Sequence, residues 1–141
     1  MTSDAAFQVG DRAPELVRTI DLPDMIAYAG ATWDWYRLHY DQEFVTSKQL
    51  PAPVVDGQVF GALLVEQIQD WLGPRAFVRR IEFRFKNLVF AGETISCAAT
   101  VTDVTRTRDA VLLTLECQVD VVGDKRRVAV GPASAVVALP A

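Results

Sequence analysis

The sequence predicts an α+β fold in which an antiparallel sheet wraps around one long central helix. Three observations carry this expectation. Between Asp56 and Leu72, apolar residues recur at three- and four-residue spacing. From Ile81 onward the pattern changes to apolar–polar alternation, the period of half-buried strands. A meander of long strands with one apolar face must cover that face, and one strongly apolar helix is available to do so.

Taken in order, residues 1–16 are mostly polar, with a Gly10-Asp11 turn signal and Pro14, and read as a lead-in. Val17 to Leu22 alternates weakly, as a short edge strand would. Leu22-Pro23-Asp24 then opens a helix, with proline and an acid in its first turn. Met25, Ile26 and Ala29 give that helix a narrow apolar face, and Gly30 is its expected stop. Residues 40–53 carry one helical turn at most before Pro51 and Pro53 favour extended chain.

The central helix follows, capped by Asp56 and stopped at Gly73-Pro74. Val59, Phe60, Leu63, Leu64, Ile68 and Trp71 form its apolar stripe, opposed by Glu66, Gln67, Gln69 and Asp70. Four strand segments come next. Ile81, Phe83 and Phe85 alternate with charged residues, and Ala91-Gly92-Glu93 turns the chain. Ile95 to Val101 and Val111 to Val121 alternate around a polar turn at Arg106–Asp109. Gly123-Asp124 signals a hairpin into a last strand, Arg126–Val130 and Ala133–Leu139, broken at Gly131-Pro132.

At 141 residues the whole chain, 1–141, is expected to be one domain. Half of it is hydrophobic and 23% is charged, which argues against disorder. A net charge of −4 does not advertise nucleic-acid or anionic-membrane binding. Cys97 and Cys117 have no metal-type spacing and read as buried free thiols, with a cross-strand disulfide as the less favoured reading. One histidine and two separated cysteines argue against a metal site. Met1 to Val9 has no lysine, arginine or long apolar run, so no signal peptide is expected and the default location is cytoplasmic.

Chemistry concentrates in Ala31 to Glu43, A-T-W-D-W-Y-R-L-H-Y-D-Q-E. It holds the sole histidine, His39, with Asp34 five positions upstream. Histidine exchanges protons near neutral pH without a large environmental shift. In a regular helix five steps would set the two groups ~140° apart. They converge only if the chain bends between them. A packing histidine and a capping aspartate are the plainer alternative.

With helix and Asp/His stretch placed, the sequence resembles the MaoC-like dehydratases, including the (R)-specific enoyl-CoA hydratases, which have the hot-dog fold. Their Asp-x4-His signature reads here Asp34-W-Y-R-L-His39, and the glycine that begins their central helix is matched by Gly57 in V-V-D-G-Q. F-A-G-E-T-I, Phe90 to Ile95, is similar to the family's turn between strands. Two departures stand out. The Asn-Pro inside the signature is replaced around Tyr36 and Arg37, so the bend must come from packing. The usual His-Gly at the helix start is Asp56-Gly57.

The resemblance implies reversible addition of water to a trans-2-enoyl thioester, a hydro-lyase reaction. Asp34 and His39 would be catalytic and the Gly57 amide would face the thioester oxygen. Trp33, Trp35, Tyr36 and Phe60 are candidates to line an acyl pocket. Arg79, Arg80, Arg84 and Lys86 are candidates to receive coenzyme A phosphates, although a solvated strand face is the plainer explanation. No cofactor is implied beyond coenzyme A or pantetheine as part of the substrate. A homodimer is expected, or a heterodimer with a homologous hot-dog subunit. The alternatives are a carrier-protein-linked 3-hydroxyacyl dehydratase of fatty-acid or polyketide assembly, and a non-catalytic partner subunit.

Overall fold

The computed structural model describes residues 6–123 and 125–141. The first part of the lead-in and Asp124 of the hairpin signal lie outside the described residues. Strand β1 is Leu16–Thr19, shorter than the predicted Val17 to Leu22 because Asp21 leaves the ladder to cap helix α1, Leu22–Thr32. The Asp24 carboxylate accepts the Asp21 amide at 3.2 Å, as an acid in the first turn should. Met25 and Ala29 are buried, but Ile26 is 43% exposed and does not join the apolar face.

A 3-10 turn, Arg37–His39, and helix α2, Gln42–Ser47, follow. Asp41 makes α2 longer than the single turn expected, its carboxylate accepting the Phe44 amide at 3.2 Å. Helix α3 runs Gln58–Leu72. The strands are β2 Phe77–Phe85, β3 Thr94–Arg106, β4 Ala110–Val122 and β5 Arg127–Pro140. They form one antiparallel sheet in the order β1-β3-β4-β5-β2. β5 is continuous where a break was expected. Val130 and Ala133 pair with Val119 and Cys117, so Gly131 and Pro132 are absorbed as a bulge and pairing resumes beyond it.

The core lies between the sheet and α3. Phe60, Leu63, Leu64 and Ile68 meet Ile95, Val101, Leu113, Leu115 and Val119, all buried. Each buried Leu or Ile contributes roughly 1.5–3 kcal/mol. Trp71 is only half-buried, with its ring edge against Phe7 at 6.1 Å. Gln67, predicted to face solvent, is 2% exposed; its amide donates to the carbonyls of Pro14 and Cys97 and ties the lead-in to β3. Cys97 and Cys117 are free and buried, and burial pushes their thiols up to about 12 and about 11. Among the described residues, no helix is long and apolar enough to cross a membrane.

One contact sets how closely α3 approaches β2. The rings of Phe85 and Phe83 lie against Gly57 and Gly61, where a Cβ would stand 2.3 Å and 2.8 Å from ring carbons. Glycines four apart on the helix thus receive phenyl rings two apart on the strand. The two rings also meet edge to face, 5.6 Å between centroids.

Candidate active site

Gly30 does not end α1. The helix continues to Trp33, which takes the left-handed conformation at φ 58°. The Asp34 amide then reaches back to the Ala29 carbonyl at 3.1 Å, the Schellman closure that glycine normally makes. The left-handed Trp33 ends the helix ahead of Asp34, and the bend that the Asp34–His39 spacing requires follows it, where extended Tyr36 (φ −62°, ψ 122°) leads into the 3-10 turn. Trp35 folds back over α1, its ring 3.8 Å from where a Cβ on Gly30 would be, so packing does what proline does elsewhere. Tyr36 donates its amide to Asp34 Oδ1 at 3.3 Å, and the 3-10 turn brings His39 round.

His39 is held by the main chain. Its Nδ1 is 2.8 Å from the Val54 carbonyl, so Nδ1–H donates and Nε2 keeps its lone pair in the neutral ring. That Nε2 stands 4.0 Å from Asp34 Oδ2 and 4.0 Å from Asp56 Oδ2. Both gaps are too long for direct hydrogen bonds and suit a shared water. The chamber between them is about 10 Å³, lined by Met25, Tyr28, Ala29, Asp34, His39, Asp56 and Val59. It admits one water.

Asp56 is the member that the sequence did not reveal as part of this site. Its Oδ1 accepts the Gln58 amide at 3.0 Å, capping α3, while Oδ2 faces His39. A hydrogen bond shared with the Asp56 carboxyl, then the Tyr36 amide, and more weakly the His39 ring, hold Asp34 below the ordinary carboxylate value against a small opposing effect of burial. Burial, then Asp56 and Asp34, push the Tyr28 phenol above its usual value. Asp34 therefore stays ionised at neutral pH, and Tyr28 keeps its proton. Among the described residues, Asp34, His39 and Asp56 form the one group whose donor atoms lie within 4.8 Å of one another, so a metal ion could be held only there.

The other candidates sit outside the chamber. Trp33 is 78% exposed, and its ring meets Trp35 edge-on at 5.7 Å. Tyr36 is exposed and props the His39 ring, 5.7 Å between centroids. Phe60 is in the core at 3% exposure; the helix phase turns its neighbour Val59 to the chamber instead. Arg79, Arg80, Arg84 and Lys86 are exposed on and just after β2; Arg80 is paired with Glu82, and none lines the chamber. Gly57 begins α3, and among the described residues its amide has no hydrogen-bond partner. No thioester-sized cavity joins Gly57 to the Asp34–His39 pair in this chain, since the chamber stops at one water and the Phe85 ring covers Gly57.

A sequence profile of the MaoC-like domain matches residues 8–122. The chain belongs to the MaoC-like dehydratase family. Solved structures agree on the hot-dog fold. The (R)-hydratase from A. caviae involved in PHA biosynthesis superposes with a TM-score of 0.85 at 25% identity, over 96% of this chain and 99% of that one. R-hydratase PhaJ1 from Pseudomonas aeruginosa gives 0.84 at 20% identity, over 96% and 84%. A chain of the ChsH1-ChsH2 complex from Mycobacterium tuberculosis gives 0.80 at 23% identity, with both chains covered completely. Among curated proteins, no sequence is significantly similar to it.

Proposed function

We propose that this MaoC-like protein is an enoyl-thioester hydratase and 3-hydroxyacyl-thioester dehydratase in which Asp34 and His39 activate one water. The observation that carries the reading is the one-water chamber between a histidine of fixed tautomer and an ionised carboxylate. His39 Nε2 takes a proton from the water while Asp34 accepts a hydrogen bond from the O–H that remains, and the oxygen bonds to Cβ of the enoyl group as the Cα–Cβ π electrons move toward the thioester. The proton held on His39 then goes to Cα, leaving a neutral 3-hydroxyacyl thioester. Negative charge gathers on the thioester oxygen in between, and the unpartnered Gly57 amide at the start of α3 is its donor once the Phe85 ring moves off the glycine. Such a donor contributes roughly 3 kcal/mol to the transition state. The acyl carrier is coenzyme A or a pantetheine arm, with no further cofactor.

The small size of the chamber supports a second reading, a non-catalytic subunit that completes a homologous hot-dog protein. The structural relatives include the ChsH1-ChsH2 complex from Mycobacterium tuberculosis. Absorbance loss of the conjugated thioester separates the two readings. If the isolated protein hydrates trans-2-enoyl-CoA substrates, the partner reading fails. His39→Ala and Asp34→Asn should each lower kcat by about 10²–10⁴, and the double variant no further than the worse single one, because both act on the same water. Full activity in His39→Ala would remove the catalytic assignment.

A further inference from the structure

We propose that Tyr28 sets acyl-chain selectivity, its ring forming the wall between the one-water chamber and an open groove along α3 that receives the acyl tail. The inference rests on the hydratase reading above and adds to it the path of the substrate. Two cavities meet at this residue. The chamber at Asp34 and His39 is about 10 Å³, while the groove between α3 and β2 is about 580 Å³, within the range of small-ligand sites. Among the described residues, Tyr28 alone lines both.

The groove suits an aliphatic chain at its near end. Gly61, Ala62 and Val65 of α3 and Ile81 and Phe83 of β2 form its floor and walls, and Glu66, Gln69 and Asp70 gather further along the helix. Gly61 has a second effect here, since its missing side chain lets Phe83 pack down and keeps the groove open above Ala62. An acyl chain whose Cβ meets the water at Asp34 has no room within the chamber. The half-buried Tyr28 ring is the shared boundary, so its rotation joins the two spaces without disturbing the buried helix stripe. The phenol keeps its proton beside two carboxylates, so the wall is a hydrogen-bond donor toward the chamber and an apolar ring toward the groove.

Three variants test this with trans-2-butenoyl-CoA and trans-2-octenoyl-CoA as substrates. Alanine is the best helix former, so Tyr28→Ala leaves α1 intact. It should raise the octenoyl-to-butenoyl ratio of kcat/KM by about tenfold, the scale on which apolar pockets discriminate chain length. Tyr28→Phe keeps the wall and should leave the ratio within twofold of the parent. Ala62→Trp fills the groove and should lower octenoyl turnover at least tenfold while sparing butenoyl. A ratio unmoved in Tyr28→Ala, in an active protein, overturns the inference and leaves the hydratase reading standing. Loss of a dimer in Ala62→Trp by light scattering, with chain preference unchanged, assigns the groove to a second copy and also overturns it. Absence of hydration in the parent and all variants sinks the hydratase reading and this inference together.

Discussion

Replacing Gly57 by alanine sets two calculable effects against each other. The residue has helical dihedrals, φ −59° and ψ −27°. Alanine is therefore the better residue there by about 0.5–1 kcal/mol on backbone grounds alone. Against this, the new Cβ would stand 2.3, 2.5 and 3.0 Å from three carbons of the Phe85 ring. Carbons pack at about 3.5–4.0 Å, so the ring must retreat by roughly 1 Å or more. Overpacking of this kind costs about 1–3 kcal/mol. Phe85 is 64% exposed at the end of an edge strand and can swing away, which puts the cost at the lower end. The net expectation is a loss of no more than about 0.5 kcal/mol in the parent. In a Phe85→Ala background the clash is absent, and the same substitution should stabilise by about 0.5–1 kcal/mol. Urea titrations of the four proteins at neutral pH read this as midpoint shifts at constant slope. An equal loss in both backgrounds would refute the argument, because the glycine would then be required by something other than the ring.

Two further perturbations follow from the site and from the clasp across the sheet. Trp33→Ala and Trp33→Gly both lose the edge contact to Trp35, so their difference isolates the left-handed backbone. The glycine variant should be more stable by about 1–2 kcal/mol, the reverse of the order inside a helix, and equal melting temperatures would remove the strain argument. Burial acts to raise Glu93, but the Arg127 guanidinium at 2.6 Å and the Phe90 amide outweigh it and hold the carboxyl below its usual value. A carboxyl depressed on folding contributes stability above its unfolded value and loses that contribution as pH falls through the folded one. The advantage of the parent over Glu93→Gln, no more than about 1 kcal/mol at such accessible groups, should therefore be present at neutral pH and vanish below about pH 4 in chemical denaturation; an advantage unchanged at low pH would refute it.

The periodic elements were legible because each has one apolar face. α3 and the four strands β2 to β5 came from spacing alone, and the start of α1 from Pro23 and Asp24. The end of α1 was not legible, since the left-handed position falls on tryptophan rather than on Gly30, and only the packing of Trp35 explains why. Asp34 and His39 could be picked out as the carboxylate and imidazole of one short segment. Asp56 joins them through space, 17 residues beyond His39 along the chain, and its capping role hid its second oxygen. Phe60 sits in the buried stripe as its spacing implied, whereas Val59, one step of helix phase away and equally apolar, turns to the chamber, which only the wrap of the sheet decides.

The imidazole's anchor is a peptide carbonyl, and this has a consequence for how the protein can vary. Every amino acid carries that oxygen, so exchanging the Val54 side chain leaves the anchor of Nδ1 in place. The hydrogen's position on the ring is written into the route of the backbone, pinned on one side by the Val54 amide on Leu38 and on the other by the Val55 amide on Val89. Because Val54 is itself buried, substitution by another apolar residue is tolerable here where an insertion or deletion between Pro51 and Asp56 is not.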